Sequence, residues 1–545
     1  MLALVLYVPC ASMEAIDGAT SAEDPLVDDV EPSPGQAPIG PNTLTGLFDW
    51  PRQFLERLVD DPVGSHFVNQ LKRNHGCGIQ VNTDYSGFGG PEIALQAIAG
   101  AVQEQHTGVN WPVPRLLFWR ASDILPRRRR MLLAASADAR PLHVFGDLMS
   151  RIRRSTRYRL RSAMESAEAE FKLAIDQGNT GTDLEAIALG IGEMVMKKLF
   201  DILRDTFHRD RTSYCYRCKG LCRIHGPTPG EADNKCNMRI AVAGTTCTSW
   251  SAMGTQGRWL AASAVPFAVW AMETLFWSPH IIFHECTPRF DVATLMAAFG
   301  TAYLVISLVF SPTHLGWPAS RSRRFTIMLH RQLVVLPHML SQALFSSFFF
   351  RRCGANGNIF FCAPQADVAE NLGKMAGELH MERDGNWTPR EVLKQGALQR
   401  LLGYERMCRR IHGGRRLSFL VNLRQNASFT RSLAKYVPTL MTSTSLIWSM
   451  RHGRTLSPEE HLVVMGLAVY SQDLFYVSRG LAVPGILVRL NNHRLSKADI
   501  LHASGNGMVQ IAIGAILMFG IGGVVVVSHV SESNASDSDL EDPEI

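Results

Sequence analysis

Cys247, Glu285, Arg321 and Arg323 are the residues of this sequence whose types and settings best suit covalent chemistry. Cys247 lies in Gly244-Thr245-Thr246-Cys247-Thr248-Ser249-Trp250-Ser251, a loop of small residues that follows a β-type run. Most buried cysteines are inert packing, and a thiol becomes a useful nucleophile only with a lowered pKa or an acid partner. One β-run later, Phe283-His284-Glu285-Cys286-Thr287-Pro288-Arg289-Phe290 brings a carboxyl group to the equivalent place, and Gly316-Trp317-Pro318-Ala319-Ser320-Arg321-Ser322-Arg323 then supplies two cations. Upstream, Asp84-Tyr85-Ser86-Gly87-Phe88-Gly89-Gly90-Pro91-Glu92 puts glycines at a strand-to-helix turn, where the backbone can approach a ligand closely. The next two β-runs end in Asp123 and Asp147, placed to hydrogen-bond a nucleoside's hydroxyls and exocyclic amine. Each acid is equally an ordinary helix cap, and only together with the glycine turn do they favour a nucleoside ligand.

The elements that must position these groups are short β-type runs alternating with helical stretches. Strands are expected at Ile79 to Tyr85, Leu116 to Ala121, Leu142 to Phe145, Arg239 to Ala243, Ile281 to His284, Tyr303 to Phe310 and Phe325 to Leu329. That alternation predicts an α/β fold with a mostly parallel sheet flanked by helices. Residues 148–235 interrupt it as a polar, Arg-rich insertion with two amphipathic helices, near 149–176 and 183–208, followed by a Cys-rich knuckle. Residues 331–437 interrupt it again, with glycines, scattered cations and aromatics.

The 545 residues are long enough for two or three domains, and an apolar fraction of 46% excludes a fibrous or wholly disordered chain. The net charge of +6 is modest, but cations cluster at Arg127 to Arg130, at Arg151, Arg153, Arg154, Arg157, Arg159 and Arg161, and at Arg409, Arg410, Arg415 and Arg416. Such runs suit a phosphate backbone, and a solvated helix face explains any one of them as well. Eleven unevenly spread cysteines do not make a disulfide framework, which predicts a reducing compartment. Cys215, Cys218, Cys222 and His225, with Cys236 beyond, offer enough soft ligands for a structural zinc ion, at a spacing that is not a standard finger. A reduced, partly buried thiol cluster is the other reading.

The opening MLALVLYVPCASMEA is apolar but lacks the basic start of a secretory signal. The segment 13–47 reads as an acidic, disordered leader and the last residues as an acidic tail. Ile511 to Val527 is apolar enough for a tail anchor or for a buried helix.

Taken in order, these motifs resemble the cytosine-5 DNA methyltransferase family: the glycine turn, two acid-ended strands, the Gly-x-x-Cys loop, the Glu-centred loop and the Arg-x-Arg element. Val437-Pro438-Thr439-Leu440 with Arg454-Thr455-Leu456-Ser457-Pro458-Glu459-Glu460 resembles the family's penultimate motif, and Ser504-Gly505-Asn506-Gly507-Met508 its closing turn. The resemblance spans roughly residues 78–527. It implies a Rossmann-like S-adenosylmethionine-dependent methyltransferase fold with a small inserted target-recognition domain. Cys247 would add to the base, Glu285 protonate it, and Arg323, supported by Arg321, hold it after it is flipped out of the helix. On the cofactor side the resemblance implies Tyr85, Gly87, Gly89, Gly90, Asp123, Asp147 and Asn506.

The expected organisation is a leader over 1–47, a catalytic domain over 48–330 with the insertion 148–235, a target-recognition region over 331–437, a return to the catalytic domain over 438–530, and a tail over 531–545. The implied partner is DNA, with no obligate protein partner evident and a nuclear location in a eukaryote or a cytoplasmic one otherwise. The family's helix after the closing turn implies a buried helix for 511–527 and no membrane association, with a tail anchor as the alternative. A tRNA cytosine methyltransferase and an inactive DNA-binding protein that keeps the fold are the alternatives. The sequence departs from the family at Thr245-Thr246, where prolines usually stiffen the loop, at Ala319 in place of Gln, at Cys286-Thr287 after the glutamate, and at Thr83, where the first motif has its Asp.

Overall fold

The structure, a computed structural model, describes residues 37–105, 115–135, 139–206, 211–225, 238–251, 257–381, 387–412, 418–425, 434–441, 446–470 and 496–527. Its centre is a sheet built from β1 (Ile79–Asp84), β2 (Leu116–Ser122), β3 (His143–Phe145), β4 (Thr212–Cys215), β5 (Gly220–Arg223), β6 (Met238–Gly244), β7 (Ile281–Cys286), β8 (Tyr303–Phe310) and β9 (Arg323–His330). The spatial order is β5-β4-β3-β2-β1-β6-β7-β9-β8. Strands β3, β2, β1, β6 and β7 run parallel, while β9 lies antiparallel between β7 and β8. This is the Rossmann-like α/β arrangement, a mostly parallel sheet flanked by helices, that the alternating runs predict. Its strand order reverses at β1, so the crevice beyond the ends of β1 and β6 is where a nucleotide-like ligand belongs.

Strands β1 and β7 are buried along their whole length, β1 even at its polar Gln80, Asn82 and Thr83. One face is covered by the helices Pro62–Cys77, Gly90–Glu104 and Gln510–Gly522. The last is the apolar segment near the C-terminus, and every residue of it is buried. It is long and apolar enough by composition to cross a membrane once joined to the preceding helix, yet it lies inside the fold. Its glycines explain how. A Cβ on Gly514 would come within 2.0 Å of the Trp50 ring, and one on Gly520 within 2.5 Å of Phe283. Asn74 Nδ2 donates to the carbonyls of Ile521 and Val524 (2.8 and 3.1 Å), satisfying the helix end inside the core.

The other face carries the insertion. Its helices, Arg154–Asp176 and Gly181–Thr206, pack on each other and, through Leu199, Trp250 and Trp259, on the helix Ala264–Trp277. The hairpin β4–β5 then extends the sheet beyond β3. Residues 331–437 contribute helices Gln342–Phe349, Gln365–Glu378 and Gln395–His412. A small separate core forms there around Leu401, Tyr404, Leu423 and Trp448. Residues 37–47, expected within the leader, are packed: the Gly40 amide donates to the Arg352 carbonyl (2.8 Å).

Two Arg-rich runs are put to structural use. Arg151 is buried, as are Arg120, Asp84 and Glu273. Arg120 meets Asp84 at 2.8 Å and Glu273 at 3.4 Å, and Arg151 meets Glu273 at 2.6 Å and Asp84 at 3.4 Å. The phosphate reading therefore does not hold for Arg151, though Arg153, Arg154, Arg157, Arg159 and Arg161 on the following helix are exposed. In the run Arg127 to Arg130, Arg128 pairs with Asp123, Arg127 and Arg130 face Asp499, and Arg129 donates to the carbonyls of Asp123 and Ile124.

Removing one member of a buried ion network strands its partner, so Arg151→Ala is expected to destabilise the protein by about 3–5 kcal/mol. Arg153→Ala should stay within about 0.5 kcal/mol of the unaltered chain. Denaturant titration of both variants checks this, and equal midpoints would show that the network carries no such weight.

Candidate active site

The chain leaves β1 through Tyr85, which holds a left-handed backbone at φ 53°, and turns at Gly87 (φ 59°) and Gly89 (φ 88°) into the helix Gly90–Glu104. A bulky residue with positive φ is strained, and such strain gathers where a loop must present its backbone to a ligand. A Cβ at Gly87 would meet nothing within 4 Å, so the turn is open on that side. The crevice it borders is lined by Tyr85, Gly87 and Gly90 from the turn, Gly244 from the end of β6, and Asn506 and Met508 from the closing turn. Gly507 is required there: a Cβ on it would lie 2.0 Å from the Phe88 ring.

Asp123 sits beside the crevice and already accepts three hydrogen bonds, from the amides of Gly87 (3.1 Å) and Leu125 (2.9 Å) and from Arg128 (3.1 Å). It braces the glycine turn. Asp147 caps a short 3-10 helix, accepting from the Met149 amide at 2.9 Å, and its charge reaches Tyr85. Gly89 shapes the turn without lining the crevice.

Across the crevice the structure brings Cys247, Glu285, Arg321 and Arg323 together. Glu285, at the end of β7, pairs with Arg323 at 3.0 Å (Nε to Oε1). Oε1 nonetheless accepts no properly directed hydrogen bond among the described residues. Arg321 is buried, donating to the carbonyls of Leu440 (3.2 Å) and Gly505 (3.1 Å), so it ties the Arg-x-Arg element to the closing turn. Burial, then repulsion from Arg323, pushes its pKa down, while Glu285 and Cys247 act in the opposite sense. The Arg-x-Arg element is also pinned to the later motif by the Ala319–Val437 bridge and by Thr439 Oγ1 donating to the Ser320 carbonyl (2.9 Å). Arg454 and Glu460 form a two-pronged pair at 2.7 Å on each prong.

The first of the two threonines before Cys247, Thr245, has a partner that sequence reasoning missed. Thr245 Oγ1 lies 2.8 Å from His284 Nε2, and its amide donates to the Glu285 carbonyl at 3.2 Å. His284 is buried between Trp270 (5.5 Å, stacked) and Phe290 (4.7 Å), and burial pushes its pKa down to about 3, so it stays neutral. The signal was a histidine inside a β-run, next to the glutamate and one strand from the threonines. Glu92 was missed as well. It is buried behind the glycine turn, where Thr83 Oγ1 donates to its Oε1 at 2.5 Å, and burial raises its pKa to about 7.

The expected metal ligands divide. Cys215, Cys218 and Cys222 lie together, joined by His143 from β3, which sequence reasoning did not single out. His225 is not with them. It is buried near Arg120 and Arg151 with both ring nitrogens unpartnered among the described residues, and burial pushes its pKa down to about 3. It lies two residues past the end of β5, in a bend that takes the chain out of the ribbon carrying the cysteines. Cys236 lies outside the described residues.

No protein-family model matches the chain, and no curated protein does. Among solved structures, the chain is similar to a prophage-encoded E. coli protein named as a DNA modification methyltransferase (TM-score 0.38, 12% identity, covering 81% of this chain and 98% of that one). It is likewise similar to the S. pombe Dnmt2 methyltransferase (0.37, 11%, 81% and 98%) and to the Entamoeba histolytica methyltransferase EhMeth (0.35, 10%, 81% and 97%). Superpositions this loose support no argument, and the fold and site stand on the chain's own geometry.

Thr245→Val leaves His284 without its partner, at a cost of about 1–3 kcal/mol, and loosens the loop. Alkylation of Cys247 by iodoacetamide should then quicken; an unchanged rate with unchanged stability would mean the hydrogen bond does not hold the loop. For Glu92, the folded protein keeps its proton up to pH about 7, whereas the unfolded chain releases it near 4.5. Its contribution is therefore complete below pH 4.5 and lost as pH rises to 7, a change of about 3 kcal/mol. Glu92→Gln should remove that part of the decline when denaturation midpoints at pH 5 and 8 are compared with those of the unaltered chain. An identical decline in both proteins would exclude it.

Proposed function

We propose that the protein transfers a methyl group from S-adenosylmethionine to carbon 5 of cytosine in DNA. The observation that carries this reading is the meeting of Cys247, Glu285 and Arg323 at the strand ends, across one crevice from the open glycine turn. Carbon 5 of cytosine is a poor nucleophile until a thiolate adds at carbon 6. Cys247 supplies that sulfur, forming an S–C6 bond that breaks again when water takes the carbon 5 proton, nitrogen 3 gives its proton back to Glu285 and the thiolate leaves. Glu285 faces ring nitrogen 3 and delivers a proton there, relieving the negative charge that addition builds. Arg323 holds the base's carbonyl oxygen. The entering cytosine takes the place of the Glu285–Arg323 ion pair, and Glu285, freed from it, takes from solvent the proton that it delivers.

On the cofactor side, Gly87 and Gly90 give close approach, Tyr85 packs near the adenine, Asp147 offers its outer oxygen to the adenine amine, and Asn506 closes the crevice. Asp123 reaches the ribose as Arg128 releases it. S-adenosylmethionine, when bound, supplies the methyl group as an electrophile. These groups cannot reach a base inside a duplex, so the target is flipped out. The exposed arginines at 153, 154, 157, 159 and 161 offer a surface for the backbone.

With labelled S-adenosylmethionine, label is expected in DNA, and label in tRNA alone would overturn the DNA reading. On DNA containing 5-fluorocytosine a covalent adduct should accumulate. Cys247→Ala should abolish it and lower turnover by more than about 10³-fold. An adduct that survives this substitution excludes Cys247 as the nucleophile.

A further inference from the structure

We propose that Cys215, Cys218, Cys222 and His143 form a structural zinc site that clamps the β4–β5 hairpin to β3. The site lies outside the proposed catalytic centre and does not depend on that reading. The four ligand atoms all lie within 4.8 Å of one another, and Cys218 Sγ is 3.6 Å from His143 Nδ1. Tetrahedral zinc with ordinary Zn–S and Zn–N bonds needs a sulfur-to-nitrogen separation of about 3.6 Å and sulfur-to-sulfur separations of about 3.8 Å. The side chains are thus near bonding positions already, and a modest inward movement of the thiols closes the shell.

The placement follows from register. Cys215 pairs with Gly220 across the hairpin and with Phe145 across β3. Cys222 is two residues past Gly220, and His143 two before Phe145, so all three ligands share one face of the sheet. Cys218 comes from the intervening turn, where Lys219 adopts φ 56°. Cys215 Sγ accepts the amides of Cys218 and Val144, each at 3.4 Å, which is the support a metal thiolate needs from its surroundings. The Trp119 ring, 5.0 Å from that of His143, fixes the imidazole. Three thiolates and one imidazole make a closed shell with no open position, the form of a structural rather than a catalytic zinc.

The clamp bears on the crevice. Between Cys215 and Cys218, the Tyr216 amide donates to the Val144 carbonyl at 2.8 Å, and its ring lies under the Arg129 guanidinium (4.0 Å) and against Gly146. Gly146 precedes Asp147, so zinc would fix the strand end that presents this acid.

The test uses the full chain, purified reduced and passed through metal-free buffer. About one zinc per chain is expected by mass spectrometry. After cobalt replacement, thiolate-to-cobalt charge transfer and the intense visible bands of a tetrahedral ion should appear. Cys222→Ser and His143→Ala should each bind at least about tenfold more weakly, while His225→Gln and Cys236→Ser retain the metal. The cobalt spectrum of the unaltered chain decides even where a variant fails to fold: no charge-transfer band overturns the site. Zinc retained undiminished by His143→Ala and lost in His225→Gln or Cys236→Ser would overturn the ligand set.

Discussion

Four charges withdrawn from water together are tolerable only where each is neutralised within hydrogen-bonding distance, because desolvation otherwise exceeds any mutual attraction. Asp84, Arg120, Arg151 and Glu273 meet that condition, with two carboxylates facing two guanidinium groups and Ser122 donating to Asp84 at 2.6 Å. Their positions matter as much as their balance. Asp84 ends β1 just before the strained Tyr85, and Arg120 lies two residues before the end of β2, hence three before Asp123. Arg151 closes the 3-10 helix that Asp147 caps, and Glu273 comes from the helix after the Cys247 loop. The ends of β1 and β2, the 3-10 helix after β3 and the helix after the Cys247 loop are thereby tied to one cluster.

Rigidity at the strand ends lets the loops beyond them be built from small, weakly structured residues. The Cys247 loop has no proline and is held by Thr245 on a neutral, ring-packed His284 and by its amide on the Glu285 carbonyl. The nucleophile's loop and the acid are thus fastened to each other through neighbouring residues of β7. On the opposite wall, Gly507 accommodates Phe88 and Arg321 reaches the Gly505 carbonyl, so the closing turn is gripped from both the glycine turn and the arginine element.

The strands of the sheet core were legible to within a residue or two because most are short apolar runs with clear breaks, such as YLVISLVF of β8 and IIF at the start of β7. The positions of Asp123, Cys247 and Glu285 at or just beyond strand ends were legible for the same reason, whereas Arg321 and Asn506 lie before a strand and at a helix end. What escaped were interactions between distant segments. Arg151 is indistinguishable by type from Arg153, yet one is buried and the other exposed. The clue to the network was on the other partner: Glu273 is the lone charge in AVPFAVWAMETLFW, and a carboxylate there demands a buried cation. His225 looked like a metal ligand through nearness in sequence, whereas His143 comes from a strand two long helices earlier.

That last difference carries the architecture one step further. The insertion of helices Arg154–Asp176 and Gly181–Thr206 separates β3 from the hairpin, so local sequence does little to hold β4 against β3, and the ladder between them is short. Edge pairings this brief are marginal unless something else joins the strands. The packing of Tyr216 on Gly146 and Arg129 is one such link, and the gathering of three thiols and an imidazole across the same seam is the other. A sheet whose crevice depends on the end of a three-residue strand is therefore held there by side chains from the hairpin, Tyr216 and the three cysteines, meeting the strand's own His143 and the adjoining Gly146.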